Sequence, residues 1–69
     1  MKLTYNQISA ELRKACADPK NIFNGTPCFI EVDSDVYHKV NPLPEMNDLF
    51  WYLVDQAWDN YIDEEMENV

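Results

Sequence analysis

The chain has one glycine, two cysteines, one histidine and five basic residues in a length of 69. Each shortage removes a class of function. With Gly25 alone there is no glycine-rich turn, and no oxyanion donors are evident for nucleophilic catalysis. Cys16, Cys28 and His38 fall short of a structural zinc set unless carboxylates complete it. Reduced, buried thiols are the expectation for a chain kept in a reducing cytosol. No apolar run approaches the roughly 18 residues that span a bilayer. The richest stretch, 49–54, ends at Asp55. The opening Met1-Lys2-Leu3-Thr4-Tyr5-Asn6 lacks the apolar region of a signal peptide, so the expectation is a soluble, cytoplasmic protein.

A length of 69 residues supports one small domain, 1–69. Hydrophobic residues make up 46 % of it, enough for a modest core but not for a core plus a deep substrate cleft. Thirteen acids against five bases give a net charge of -8. Such a chain is repelled by nucleic acid and by anionic membranes.

What is present reads as α-β-β-α, an α+β fold with two helices packed on a short antiparallel hairpin in two layers. A first helix is expected over about 4–18. Thr4 is its N-cap, Gln7 completes a capping box, and Leu3 and Ile8 form a hydrophobic staple. Tyr5, Ile8, Leu12, Ala15 and Cys16 define its apolar face, and Asp18-Pro19 closes it. Asn24-Gly25 marks a turn, with Ile22-Phe23 an apolar plug or short strand.

Residues 27–40 alternate, and the expectation is a hairpin closed by Asp33-Ser34-Asp35. That register places Val32 opposite Val36, Ile30 opposite His38 and Cys28 opposite Val40 on one face. Glu31 then faces Tyr37, and Phe29 faces Lys39, on the other. Asn41-Pro42-Leu43-Pro44 breaks the strand.

A long helix follows over about 45–66. At 100° per residue, Leu49, Phe50, Leu53, Val54, Ala57, Trp58 and Tyr61 share a broad apolar sector, widened on one flank by Trp51 and Ile62. Asp48, Asp55, Asp59 and Asp63 form a stripe opposite, with Tyr52 among them.

Charge is distributed unevenly. Residues 1–20 carry a net +2, residues 21–44 a net -2, and residues 45–69 hold eight acids and no base. Stability does not favour this. Acids in a last turn oppose the helix macrodipole at about 0.3–1 kcal/mol each. The ladder Asp55-Asp59-Asp63 also sets like charges four residues apart. The pattern is read as a binding surface rather than as mere solvation. Carboxylates four residues apart stand about 6 Å apart along the axis, close to the separation of successive phosphates along one nucleic-acid strand. The stripe with Glu64, Glu65 and Glu67 beyond it can therefore pose as a run of DNA backbone, with Glu31, Asp33 and Asp35 as a second cluster.

Catalysis is not expected. A Cys28–His38 dyad is set aside in favour of packing. Asp33-Ser34-Asp35 lacks the glycine and distal Glu of a calcium loop. Exposed pairs such as Asp59 and Asp63 are not read as an acid–base pair. Neither cofactor nor metal is implied. Trp58 is read as core, and Trp51 as core, homodimer seam or target contact.

A tiny, strongly acidic, cysteine-poor chain with no catalytic constellation resembles, at the level of class, the phage-encoded anti-CRISPR and other anti-defence proteins that act as DNA mimics. The resemblance rests on size, on the Asp48/Asp55/Asp59/Asp63 stripe and on the Glu64-Glu65-Met66-Glu67 tail. It implies a non-catalytic inhibitor acting in a bacterial host cell on a protein or complex with a Lys/Arg-rich nucleic-acid-binding surface. Two alternatives use the same residues differently. An immunity protein or antitoxin would offer the acids to a basic toxin or nuclease, and a homodimeric interaction module would pair through the Trp51/Ile62 edge.

Overall fold

Thr4 starts the first helix by accepting the Gln7 backbone N–H on its hydroxyl at 3.2 Å. The computed structural model describes residues 2–67, with side chains through residue 65. Helix α1, Tyr5–Ala17, follows that cap and ends at Asp18, whose extended backbone precedes Pro19. Asp18 then caps a short 3-10 turn, Pro19–Asn21, by accepting the Lys20 N–H at 3.1 Å. Strands β1 (Ile22–Phe23) and β2 (Thr26–Pro27) pair antiparallel, with Phe23 opposite Thr26. Their two-residue loop places Asn24 at φ 57° and Gly25 at φ 79°. Positive φ at both central residues is the type I′ geometry that Asn-Gly supports. Helix α2, Phe29–Val40, comes next and ends on Asn41 in the left-handed conformation. Pro44–Met46 forms a second 3-10 turn, and α3, Asn47–Glu67, completes the element order.

The molecule is thus mostly helical, with a two-stranded hairpin between α1 and α2. The hairpin sits at 22–27, not at 27–40, and the segment expected as its strands is α2. The physical reason lies in a spacing of four. Val32, Val36 and Val40 fall on one face whether the period is 2 or 3.6, and all three are buried. The residues that separate the two readings side with the helix. Ile30 is 78 % exposed, His38 is exposed, and Cys28 is the N-cap residue rather than a strand partner of Val40. Asn41 serves as a left-handed cap, accepting no strand partner and donating its N–H to the Tyr37 carbonyl at 2.8 Å.

The core is a single cluster. Leu3, Ile8, Leu12, Ala15 and Cys16 come from the α1 region, Val32, Val36 and Val40 from α2, and Phe50, Leu53, Val54, Ala57 and Trp58 from α3. Each large side chain fully buried there contributes about 1.5–3 kcal/mol. Helix α1 packs against both other helices. Between α2 and α3, long aromatic side chains fill the seam. Helix α3 runs back along α2, so Phe29 meets Trp58 near one end and Tyr37 meets Phe50 and Trp51 near the other. No helix among the described residues is long and apolar enough to cross a membrane.

Candidate functional site

Helix α3 builds the main candidate surface. Its apolar sector turns Phe50, Leu53, Val54, Ala57 and Trp58 into the core. Asp48, Tyr52, Asp55, Asp59 and Asp63 are all exposed on the remainder, as expected from the wheel. Leu49 departs from that wheel, being 44 % exposed. Asp48 to Asp63 spans about 22 Å of helix axis. None of the four Asp carboxylates has an ion-pair partner among the described residues. Four of the five bases are engaged elsewhere: Arg13 with Glu64 at 2.7 Å, Lys14 with Glu11, Lys20 with Asp18 and Asp35, and Lys39 with Asp35. Glu64 therefore belongs to the α1–α3 contact rather than to an open tail, while Glu65 remains exposed. The Glu67 side chain lies outside the described residues.

The expected second cluster does not form as a free acidic patch. Glu31 is exposed, but Asp33 and Asp35 lie on helical turns that face neighbouring elements. The Trp58 indole N–H donates to Asp33 Oδ1 at 2.7 Å. Burial pushes the Asp33 carboxyl above its ordinary range, and the charge of Asp55 adds to that, while the indole hydrogen bond opposes it. Asp35, its side chain only 12 % exposed, stands 3.9 Å from both Lys20 and Lys39. It also accepts from the Asn21 side-chain amide at 3.3 Å.

Asn21 is the residue that sequence reasoning missed. Its side chain is buried, and its amide donates to the Ala15 carbonyl at 2.9 Å, tying off the end of α1. Its own carbonyl accepts the Cys28 N–H at 2.8 Å, which fixes the start of α2. The only hint in the sequence is an Asn directly after Asp18-Pro19-Lys20, where capping residues concentrate.

Trp51 and Ile62 are both partly exposed on one flank of α3, at separate points along it. Trp51 stacks on Tyr37 at 5.8 Å and packs edge-on against Phe50 at 4.9 Å. Ile62 lies about 16 Å farther along the axis, in a groove of about 300 Å³ that it shares with Pro27, Phe29, Trp58, Tyr61 and Glu65. Cys28 and His38 stand at opposite ends of α2, about 15 Å apart along its axis, so they make no dyad. Cys16 is buried, and burial pushes its thiol up to about 11, partly offset by a hydrogen bond from Tyr61. At neutral pH it is a packed thiol rather than a nucleophile. Among the described residues no group of His, Cys, Asp and Glu is arranged to hold a metal ion.

Comparison with protein families, with curated proteins and with solved structures found no match for the chain.

Proposed function

We propose that the protein is a non-catalytic inhibitor that occupies a Lys/Arg-lined, nucleic-acid-binding groove of another protein with the acidic face of α3. One observation carries this reading. The helix holds Asp48, Asp55, Asp59 and Asp63 exposed and without ion-pair partners among the described residues, while Arg13, Lys14, Lys20 and Lys39 are paired with other acids. A fold of this size has little stability to lose, and a ladder of like charges at i, i+4 lowers it further. A basic partner converts that repulsion into attraction. Long-range attraction of this kind raises the association rate and makes it salt-sensitive.

DNA-like spacing along the stripe supports a partner whose groove normally holds phosphates. A CRISPR–Cas or similar defence complex is the class to which the resemblance points. The test is charge reversal at Asp55, Asp59 and Asp63 together. The triple Lys variant is expected to stay folded by circular dichroism and to lose capture of a nucleic-acid-binding complex from bacterial lysate at low salt. Normal capture by that variant would end the proposal.

A further inference from the structure

The groove beside Ile62 lies outside the acidic stripe, with Asp59 of the stripe one turn before Ile62 on the same helix. Pro27 and Phe29 supply one wall, and Trp58, Tyr61 and Ile62 supply the other. Phe29 packs edge-on against Trp58 at 4.4 Å and Trp58 against Tyr61 at 5.8 Å, which makes the floor a continuous aromatic surface. That surface is not closed over, since Phe29 remains 54 % exposed and Ile62 37 %. Its volume of about 300 Å³ is ample for one large side chain, given that an apolar cavity of about 150 Å³ already accommodates benzene.

Charge around the groove identifies the occupant. At 100° per residue, Asp59 stands one turn before Ile62 and about 60° around the helix from it, and Glu65 lies in the lining itself. The nearest base, Arg13, sits 5.7 Å over the Tyr61 ring and is ion-paired to Glu64. An apolar slot with the carboxylates of Glu65 and Asp59 at its edge, neither in an ion pair among the described residues, is complementary to an apolar side chain carried between Lys or Arg residues. It repels a second copy of this chain, whose own last third bears eight acids and no base.

We propose that this groove receives one large aromatic or aliphatic side chain from a basic segment of the target, as the anchor that adds specificity to the electrostatic contact of α3. The inference rests on the reading of α3 as the face that meets a basic partner. Buried anchors in desolvated pockets carry most interface energy, while exposed charges mainly steer.

The experiment uses three short fluorescein-labelled peptides. One has a central Phe flanked by four lysines, the second has Ala in place of Phe, and the third keeps Phe but replaces the lysines with glutamates. Fluorescence anisotropy at low salt is expected to show the Phe/Lys peptide binding about tenfold more tightly than the Ala/Lys peptide. The Phe/Glu peptide is expected not to bind. In ¹H–¹⁵N spectra the Trp58 indole cross-peak should shift with the Phe/Lys peptide, while that of Trp51 stays in place. Ile62→Ala, at a partly exposed position, should leave the fold intact by circular dichroism and reduce the Phe-over-Ala preference below about threefold. Equal affinity for the two lysine peptides would overturn the groove proposal and leave the acidic-face reading standing. Failure of both lysine peptides to bind would overturn the two together. Binding of the Phe/Glu peptide, or a Trp58 shift that follows protein concentration alone, would assign the groove to a different occupant and overturn the proposal.

Discussion

On α2, Asp33 accepts the Trp58 indole and Asp35 is bracketed by Lys20, Lys39 and the Asn21 amide. On α3, Asp48, Asp55, Asp59 and Asp63 face solvent with no ion-pair partner among the described residues. The two helices carry the same residue type for different ends. The α2 acids sit where neighbouring elements converge, so they organise the interior edge of the fold. The α3 acids sit on the one helix without a base, so they remain available to something outside the molecule. Total charge alone would have treated them as one population.

The largest effect should come from the residue that joins Asp35 to the end of α1. Asn21→Ala removes two side-chain donations and leaves the Ala15 carbonyl and Asp35 with fewer partners. Loss of a buried hydrogen-bonded group on this scale costs about 2 kcal/mol, and the melting temperature of so small a domain should fall by roughly 10 °C. A shift within about 1 °C would mean that α2 is held by apolar packing alone.

Asp33 holds α3 against α2 through the Trp58 indole. Asp33→Ala strands the Trp58 indole N–H and should lower stability by about 1–2 kcal/mol. Asp33→Asn keeps an acceptor and should not. Because burial raises the Asp33 pKa, the folded state holds its proton more tightly than the unfolded state. Its contribution therefore falls as pH rises from its ordinary value of 3.8 through the raised one. Chemical denaturation across that range should show the downward slope in wild type and its loss in Asp33→Asn.

Much of the fold was legible because local signals agreed. Thr4, Leu3 and Ile8 announced α1, Asp18-Pro19 its end, and Asn24-Gly25 a turn that the structure realises with two positive φ angles. Helix α2 was not legible from apolar spacing, since Val32, Val36 and Val40 satisfy strand and helix alike. The discriminating signals were polar: Glu31, Asp35 and Lys39 four apart, and Asn41-Pro42 as a helix stop. The acidic stripe was legible because a helix without bases can pair its acids only across to another element, as Glu64 does with Arg13, and the stripe faces solvent instead. The groove was not, because it joins residues 25–29 to residues 58–65, a pairing set by how α3 returns along α2.

Alkaline conditions probe the packed thiol rather than the acids. Cys16 ionises at an ordinary 9.0 when unfolded but only at about 11 in the fold, where Tyr61 is also raised by burial. Stability should be level up to about pH 9 and fall between pH 9 and about 11, as the unfolded chain releases the protons first. Cys16→Ala should flatten that limb, as read by urea denaturation at each pH. The smallest effect, and the one of opposite sign, is expected on α3. Replacing Asp55, Asp59 and Asp63 together with Asn removes the like-charge ladder and eases the helix dipole, so stability should rise by up to about 1 kcal/mol. A fall would mean that these carboxylates make contacts that stabilise the fold.

The most direct measurement compares wild type with the Asp55→Lys, Asp59→Lys, Asp63→Lys triple variant in capture from bacterial lysate. A salt gradient serves for elution, and double-stranded DNA is the competitor. The predicted result is a nucleic-acid-binding complex retained by wild type, released by salt and by DNA, and not retained by the folded variant. Equal retention by both proteins, indifferent to salt and DNA, would contradict the account and leave the acids of α3 with solvation as their only role.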